Sequence, residues 1–407
     1  MLYEDLPKIY YKKPSEYDAI YNNRYNSSCS CHFDIYIKQY NYRHQYPAFL
    51  CSTQETSRLI EELYKKQRAF DNLLRQTPDI VLQQYALLSV IDEVKATNEI
   101  EGVHSTRREL QEIFEEEKTN SRFFGIISKY EKIIHGERLL LNTPEDIRRI
   151  YDDFIYKKVV ENNSKNELDG VLFRRESVDI TSNSVGKVIH QGANPESKII
   201  DLLEKAINIL KDDEISHIER IALFHYLFGY IHPFYDGNGR MARLISSYQI
   251  AMQFHYIVAM RLSVTIKRQQ KKYYKMFELC DGERARGDLT PFVLGFMELL
   301  LNTFDDVLSS LQRKNEQIKI YEKKLFEIVD KKDTLLKSIY LILFHSSLMF
   351  GQGVSIEQLM RLTNKSRNTV KNRLDDIPDS QKIIRVIGKK HFYKLNMRIF
   401  KDIEICV

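Results

Sequence analysis

The chain has 407 residues, 43 % apolar and 29 % charged, which is the balance of a globular protein of two or three domains rather than a disordered one. Its charge of +5 is unevenly placed: residues 331–400 carry 14 Lys and Arg against 5 Asp and Glu, a net of +9, so the rest sums to −4. No apolar run approaches the ~18 residues of a membrane span, and "MLYEDLPKIYYKK" at the N-terminus lacks the pattern of a signal peptide.

Five cysteines are an odd count, and "CSCH" at 29–32 has no second pair to match it. Unpaired reduced thiols in a cytoplasmic chain are expected there, rather than a zinc site. Residues 1–55 are rich in Tyr and Asn without a sustained period, and read as an N-terminal arm whose structure the pattern leaves open. From Thr53 the pattern turns helical, with Leu59, Ile60, Leu63, Phe70 and Leu74 at spacings of three and four. "VLQQYALLSVIDEVKATNEIEG" predicts a second helix with Gly102 as its C-cap. Ser105 is the expected cap of "STRRELQEIFEEE", and Thr143 followed by Pro144 opens another helix. Residues 170–195 interrupt this series. There "SVDI" and "KVIH" flank a Ser/Asn/Gly turn, which predicts a short hairpin. Two apolar helices follow, the second running into His232, and then "MARLISSYQIAMQF" and "TPFVLGFMELLLNTFDDVL".

Residues 311–332 are a charged amphipathic stretch that reads as a helical linker to a basic C-terminal unit. That unit predicts a helix, a helix-turn-helix with Ser366 as N-cap of its second helix, and two strands around Gly388-Lys389. Its charge is compatible with a DNA phosphate backbone. Three acids in "LDDIPD" directly after the candidate recognition helix weigh against DNA and favour protein docking or homodimer formation. The expected fold is mainly α, divided into the arm at 1–55, a helical region at 56–120, a core at 121–310, the linker at 311–332 and a small α+β unit at 333–407.

The densest chemistry lies in "HPFYDGNGR", residues 232–240. Pro233 disfavours helical geometry at His232, so one helix ends there and a Gly-Asn-Gly loop opens the next. Free backbone N–H groups at a helix start, with the positive end of the dipole, make a cradle for phosphate. Asp236 is placed to hold a hard cation such as Mg²⁺ between phosphate oxygens. Arg240 and Arg243 sit in the first turn, where cations oppose the dipole and an anionic ligand explains their presence. His232 at the mouth suits general-base work near neutral pH.

Taken together, these residues resemble the core motif of the Fic domain, HxFx[D/E]GNGRxxR. His232, Phe234, Asp236, Gly237, Asn238, Gly239, Arg240 and Arg243 match it at every fixed position. The resemblance, which extends over roughly residues 60–310, implies a helical enzyme that moves AMP from ATP, with Mg²⁺, to a hydroxyl side chain (Ser, Thr or Tyr) of a protein target or of itself. His232 would take the hydroxyl proton and Phe234 would anchor the loop. Asp236 would hold Mg²⁺, Gly237, Asn238 and Gly239 would line the α- and β-phosphates, and Arg240 and Arg243 would grip the far phosphates. "TNEIEG" at 97–102 is similar to the family's inhibitory motif through Thr97, Glu101 and Gly102. By that likeness Glu101 would pair with Arg243 and displace the γ-phosphate, or would orient water for AMP removal. The 171–192 hairpin resembles the flap that docks a target segment as an added strand, Tyr273 and Tyr274 would lie near the nucleotide, and the C-terminal unit resembles a winged helix. A reading from another class is a transcriptional regulator whose nucleotide site only senses.

Overall fold

Four helices start on reciprocal capping boxes, at Thr53 with Thr56, Thr143 with Asp146, Ser216 with Glu219 and Ser355 with Gln358. In each, two side chains satisfy backbone donors that the first turn would otherwise leave unpaired. The computed structural model describes residues 3–116, 121–181, 188–329, 333–348, 353–387 and 390–400.

The N-terminal segment, whose structure the sequence left open, has regular elements. It forms α1 (Leu6–Lys12), α2 (Tyr17–Tyr25) and an antiparallel hairpin of β1 (Ser30–Ile37) and β2 (Tyr46–Cys51). Its tyrosines work as cation–π partners: Arg284 lies 4.1 Å from Tyr10 and 4.5 Å from Tyr11, while Arg286 lies 4.5 Å from Tyr17 and 4.9 Å from Tyr21. Contacts of that kind leave no hydrophobic period in the sequence. The described cysteines, Cys29, Cys31, Cys51 and Cys280, are unpaired.

Next come α3 (Gln54–Leu74), α4 (Asp79–Ile100) and α5 (Arg107–Glu116). Thr106, not Ser105, caps α5, its Oγ1 accepting from the Glu109 amide at 3.1 Å. Ser105 is buried and accepts from Asn98 Nδ2 at 3.4 Å. Then follow α6 (Phe124–Ile134), α7 (Pro144–Tyr151), a π-helical turn at Asp152–Tyr156 and α8 (Lys157–Asn162). The hairpin pairs β3 (Asp179–Thr181) with β4 (Val188–Gln191), and its expected tip lies outside the described residues.

The centre is built by α9 (Glu196–Lys211), α10 (His217–Ile231), α11 (Asn238–Gln253), α12 (Tyr256–Ala259), α13 (Leu262–Arg268), α14 (Gln270–Asp281) and α15 (Thr290–Ile328). The helix α10 is buried on almost every face, as an all-round apolar helix must be. One unbroken 39-residue helix, α15, runs through the expected boundary at 310/311. The change there from apolar to charged residues marks the helix leaving one core, not a break.

The C-terminal unit contains α16 (Thr334–Ser347), β5 (Val354–Ser355), α17 (Ile356–Thr363), α18 (Arg367–Asp375), β6 (Lys382–Ile387) and β7 (Lys390–Leu395), with sheet order β5-β7-β6. Ser366 Oγ caps α18, accepting from the Thr369 amide at 3.3 Å. This unit encloses a second apolar core, which also takes in Ile318 and Leu325 of α15 and Ile80 and Val81 of α4. Among the described residues no helix is long and apolar enough to cross a membrane.

Candidate functional site

The site is the turn from α10 into α11. His232 caps α10 in the left-handed region, at φ 53°, a conformation that a non-glycine residue keeps only when its surroundings enforce it. The buried guanidinium of Arg174 supplies that enforcement. Its Nε donates to the His232 carbonyl at 2.9 Å, its Nη1 to Glu176 O at 2.5 Å and its Nη2 to Ala193 O at 2.8 Å. One side chain thus ties both legs of the hairpin to the end of α10. Nothing in "LFRRES" singled Arg174 out, since an arginine that bonds only carbonyls has no partner residue to look for.

His232 Nδ1 lies 3.3 Å from the Gly229 carbonyl. A carbonyl can only accept, so Nδ1 carries the proton and Nε2 presents a lone pair. Desolvation, aided by the nearby His190 and Arg174, pulls the ring's pKa down to about 3 and keeps it neutral at physiological pH.

The loop beyond is fixed by its own members. Phe234 is fully buried and stacks on Tyr151 at 3.6 Å, with the ring planes 5° apart. The Tyr151 hydroxyl donates to the Asp236 carbonyl at 3.0 Å. Asn238 acts as a staple rather than a lining group: its Oδ1 accepts from the Phe234 amide at 2.9 Å and its Nδ2 donates to the Phe234 carbonyl at 2.7 Å. Any part of Asn238 in lining phosphate then falls to its backbone N–H. Gly237 has φ 88°, and a Cβ there would meet Tyr151 at 3.3 Å and Ile155 at 3.4 Å. Only glycine fits.

Asp236 Oδ1 accepts from the Gly237 amide at 2.5 Å and from Arg240 Nη2 at 3.0 Å, leaving Oδ2 without a hydrogen bond among the described residues. Arg240 is itself buried, and its Nε has no partner among the described residues, an orphaned donor at the start of α11. No cluster of three or more His, Cys, Asp or Glu among the described residues is placed to hold a metal. Magnesium bound jointly with phosphate oxygens needs only one or two carboxylates, so Asp236 Oδ2 fits that role.

The structure brings "TNEIEG" onto the same spot. Arg243, buried, donates from Nε to Thr97 Oγ1 at 2.8 Å and from Nη2 to the Thr97 carbonyl at 3.1 Å and Glu101 Oε1 at 2.7 Å. Glu101 is the C-cap of α4, and Gly102 follows at φ 72°. The Glu101 carboxylate leans against Gly239: a Cβ on Gly239 would collide with Oε1 and would meet Arg243 Nη1 at 3.1 Å. A carboxylate therefore rests against the opening of α11, where the helix dipole favours an anion.

Behind the site, His225 is wholly buried, with Nδ1 at 2.8 Å from Ser246 Oγ and Nε2 at 2.7 Å from the Tyr273 hydroxyl. Burial pulls its pKa down to about 3. Tyr273 is thus a core side chain with its hydroxyl already engaged. Tyr274 is half-buried and bonded to Gln270, whose Nε2 also donates to the Ile100 carbonyl at 3.4 Å. It lies beside Glu101.

Comparison with known proteins points to one family. The Fic/DOC family matches residues 141–250. The curated protein adenylyltransferases Fic of Drosophila melanogaster and Drosophila sechellia are each 29 % identical over 151 residues, 37 % of this chain and 28 % of theirs. The chain thus spans little more than a quarter of the length of these relatives. The crystal structure of a Fic family protein from Desulfovibrio desulfuricans G20 shares the fold, with TM-score 0.52 and 18 % identity over 85 % of this chain and 97 % of that one. With the complete motif from His232 to Arg243 folded as one loop and helix start, this chain carries a Fic domain of the Fic/DOC family.

Proposed function

We propose that the chain is a protein adenylyltransferase that moves AMP from ATP to a hydroxyl side chain, restrained by Glu101. The observation that carries this reading is the meeting of three things at one helix start: a neutral His232 with a free Nε2, an anion cradle with an unpartnered Arg240 Nε, and a carboxylate already pressed into that cradle. The target oxygen attacks the α-phosphorus, its proton passes to His232 Nε2, and the bond to the β-phosphate oxygen breaks to release pyrophosphate. Positioning and neutralisation of charge supply most of the acceleration. When bound at Asp236, Mg²⁺ would neutralise phosphate charge. Glu101 and a γ-phosphate compete for Arg243, since the two anions repel. The hairpin offers a target a strand edge to pair with, and the protein itself serves as a first acceptor to assay.

Intact-mass spectrometry after incubation with ATP and Mg²⁺ tests the proposal on the native sequence, Glu101→Gly and His232→Ala. Glu101→Gly gains one adenylyl group fastest, and His232→Ala loses about 10²–10⁴-fold in rate while still binding ATP. ATP binding without any transfer in Glu101→Gly would favour a sensing role.

A further inference from the structure

The helix that carries Thr97 and Glu101 reaches into both cores. At one end of α4, Ile80 and Val81 are buried among Ile339, Leu343 and Phe344 of α16 and Ile318 and Leu325 of α15. Near the other end α4 is fastened to α13 and α14. Glu93 accepts from the Ser263 amide at 2.8 Å, Asp92 from Arg261 at 2.9 Å, the Glu99 carbonyl from Lys267 at 3.1 Å and the Ile100 carbonyl from Gln270 at 3.4 Å. Between these ends α4 contains neither Gly nor Pro, so its 22 residues form one rod of about 33 Å. A rod of this kind cannot yield at one end without a response at the other, because packed interfaces do not deform continuously.

From this we infer that the C-terminal unit sets how firmly Glu101 holds Arg243, through its seat on Ile80 and Val81. The inference rests on the reading that Glu101 restrains transfer, and adds to it the element that tunes the restraint. Any ligand that shifts α16 away from α4 then frees Arg243 for ATP, with no contact at the site itself.

The test uses the full chain with Val81→Ala, Ile339→Ala and the milder Ile80→Val, against Leu203→Ala in α9 as a control of similar burial elsewhere. Amide hydrogen exchange at residues 97–102 reads the rod directly, and AMP transfer reads its consequence. Expected are faster exchange at 97–102 and a several-fold rise in transfer for Val81→Ala and Ile339→Ala, with a smaller rise for Ile80→Val. In the Glu101→Gly background the same changes add nothing. Unchanged exchange at 97–102, or an equal rise from Leu203→Ala, would overturn the inference. If Glu101→Gly alone leaves transfer unchanged, the inhibitory reading fails, and the exchange data still decide whether the seat holds α4.

Discussion

Arg243 spends its donors on Thr97 and Glu101, so in the proposed reaction a γ-phosphate has to compete with the Glu101 carboxylate for it. Hydrogen bonds to charged groups contribute ~2–3 kcal/mol, and removing the carboxylate in Glu101→Gly is expected to raise AMP transfer roughly 30- to 150-fold at about 1.4 kcal/mol per decade. Glu101→Gln, whose amide still reaches the arginine, should activate less; equal rates for native and Glu101→Gly in an incorporation assay would make Glu101 an ordinary helix-end residue. His232 gives a second expectation. With its pKa pulled down to about 3, transfer should show no acid limb near pH 6.5, and such a limb in a pH–rate profile would mean a solvated ring in the working state. His225 and His232 also bear on stability. The folded protein keeps both rings neutral down to about pH 3, whereas the unfolded chain protonates them near pH ~6.5. Their joint effect is a loss of stability as pH falls from ~6.5 towards 3. Glu93 opposes this in part, since burial raises it to about 7 and its stabilising proton is present below pH ~4.5 and lost as pH rises through 7. Denaturant titrations of His225→Asn and the native chain at pH 7 and 5 would separate the two.

Among the elements, the hairpin and α10 depend on Arg174. Arg174→Met leaves the carbonyls of Glu176, Ala193 and His232 without their donor and should cost on the order of 3 kcal/mol, visible as a lower Tm. The long α15 gives a sharper case. Ser309 is exposed within it, next to the boundary expected at 310/311. Ser309→Pro removes a helical N–H in the middle of this continuous helix and should cost about 3 kcal/mol, read as a lower Tm; an unchanged Tm would mean that the helix breaks there. The helix starts at Thr53, Thr143 and Ser366 were legible from local signals, namely the onset of a helical period, a Pro at the first helical position and a capping hydroxyl. The start of α5 was not: Ser105 looked like its cap until α4 placed Asn98 beside it, a neighbour that only folding brings.

For the molecule as a whole, the shared core changes what truncation means. By charge alone the C-terminal unit reads as a basic appendage behind a linker. Yet Ile80, Val81, Ile318 and Leu325 are buried against that unit, and its removal would expose them as an apolar patch. A chain ending at 330 is therefore expected to melt earlier and to aggregate, as scattering during a thermal ramp would show.

The loop from His232 to Arg243 could be read from the chain directly, because a phosphate cradle demands glycine, asparagine, acid and arginine at fixed short spacings that chance rarely supplies. Local periodicity likewise pointed to α3, α4, α9, α10, α11 and α15, and β-branched runs to the pairing of β3 with β4. The pairing of Glu101 with Arg243 at 2.7 Å spans 142 positions, and was legible only through likeness to a family. Nothing in the sequence alone pointed to Arg174 as the brace of the loop, to Asn238 as a staple, or to Tyr273 as the buried partner of His225. Those roles arise from which carbonyls, rings and hydroxyls meet once α4, α10, α11 and α14 pack together. A residue's chemistry is written in its side chain, but its partner is chosen by burial and by the geometry of helices far apart in the chain.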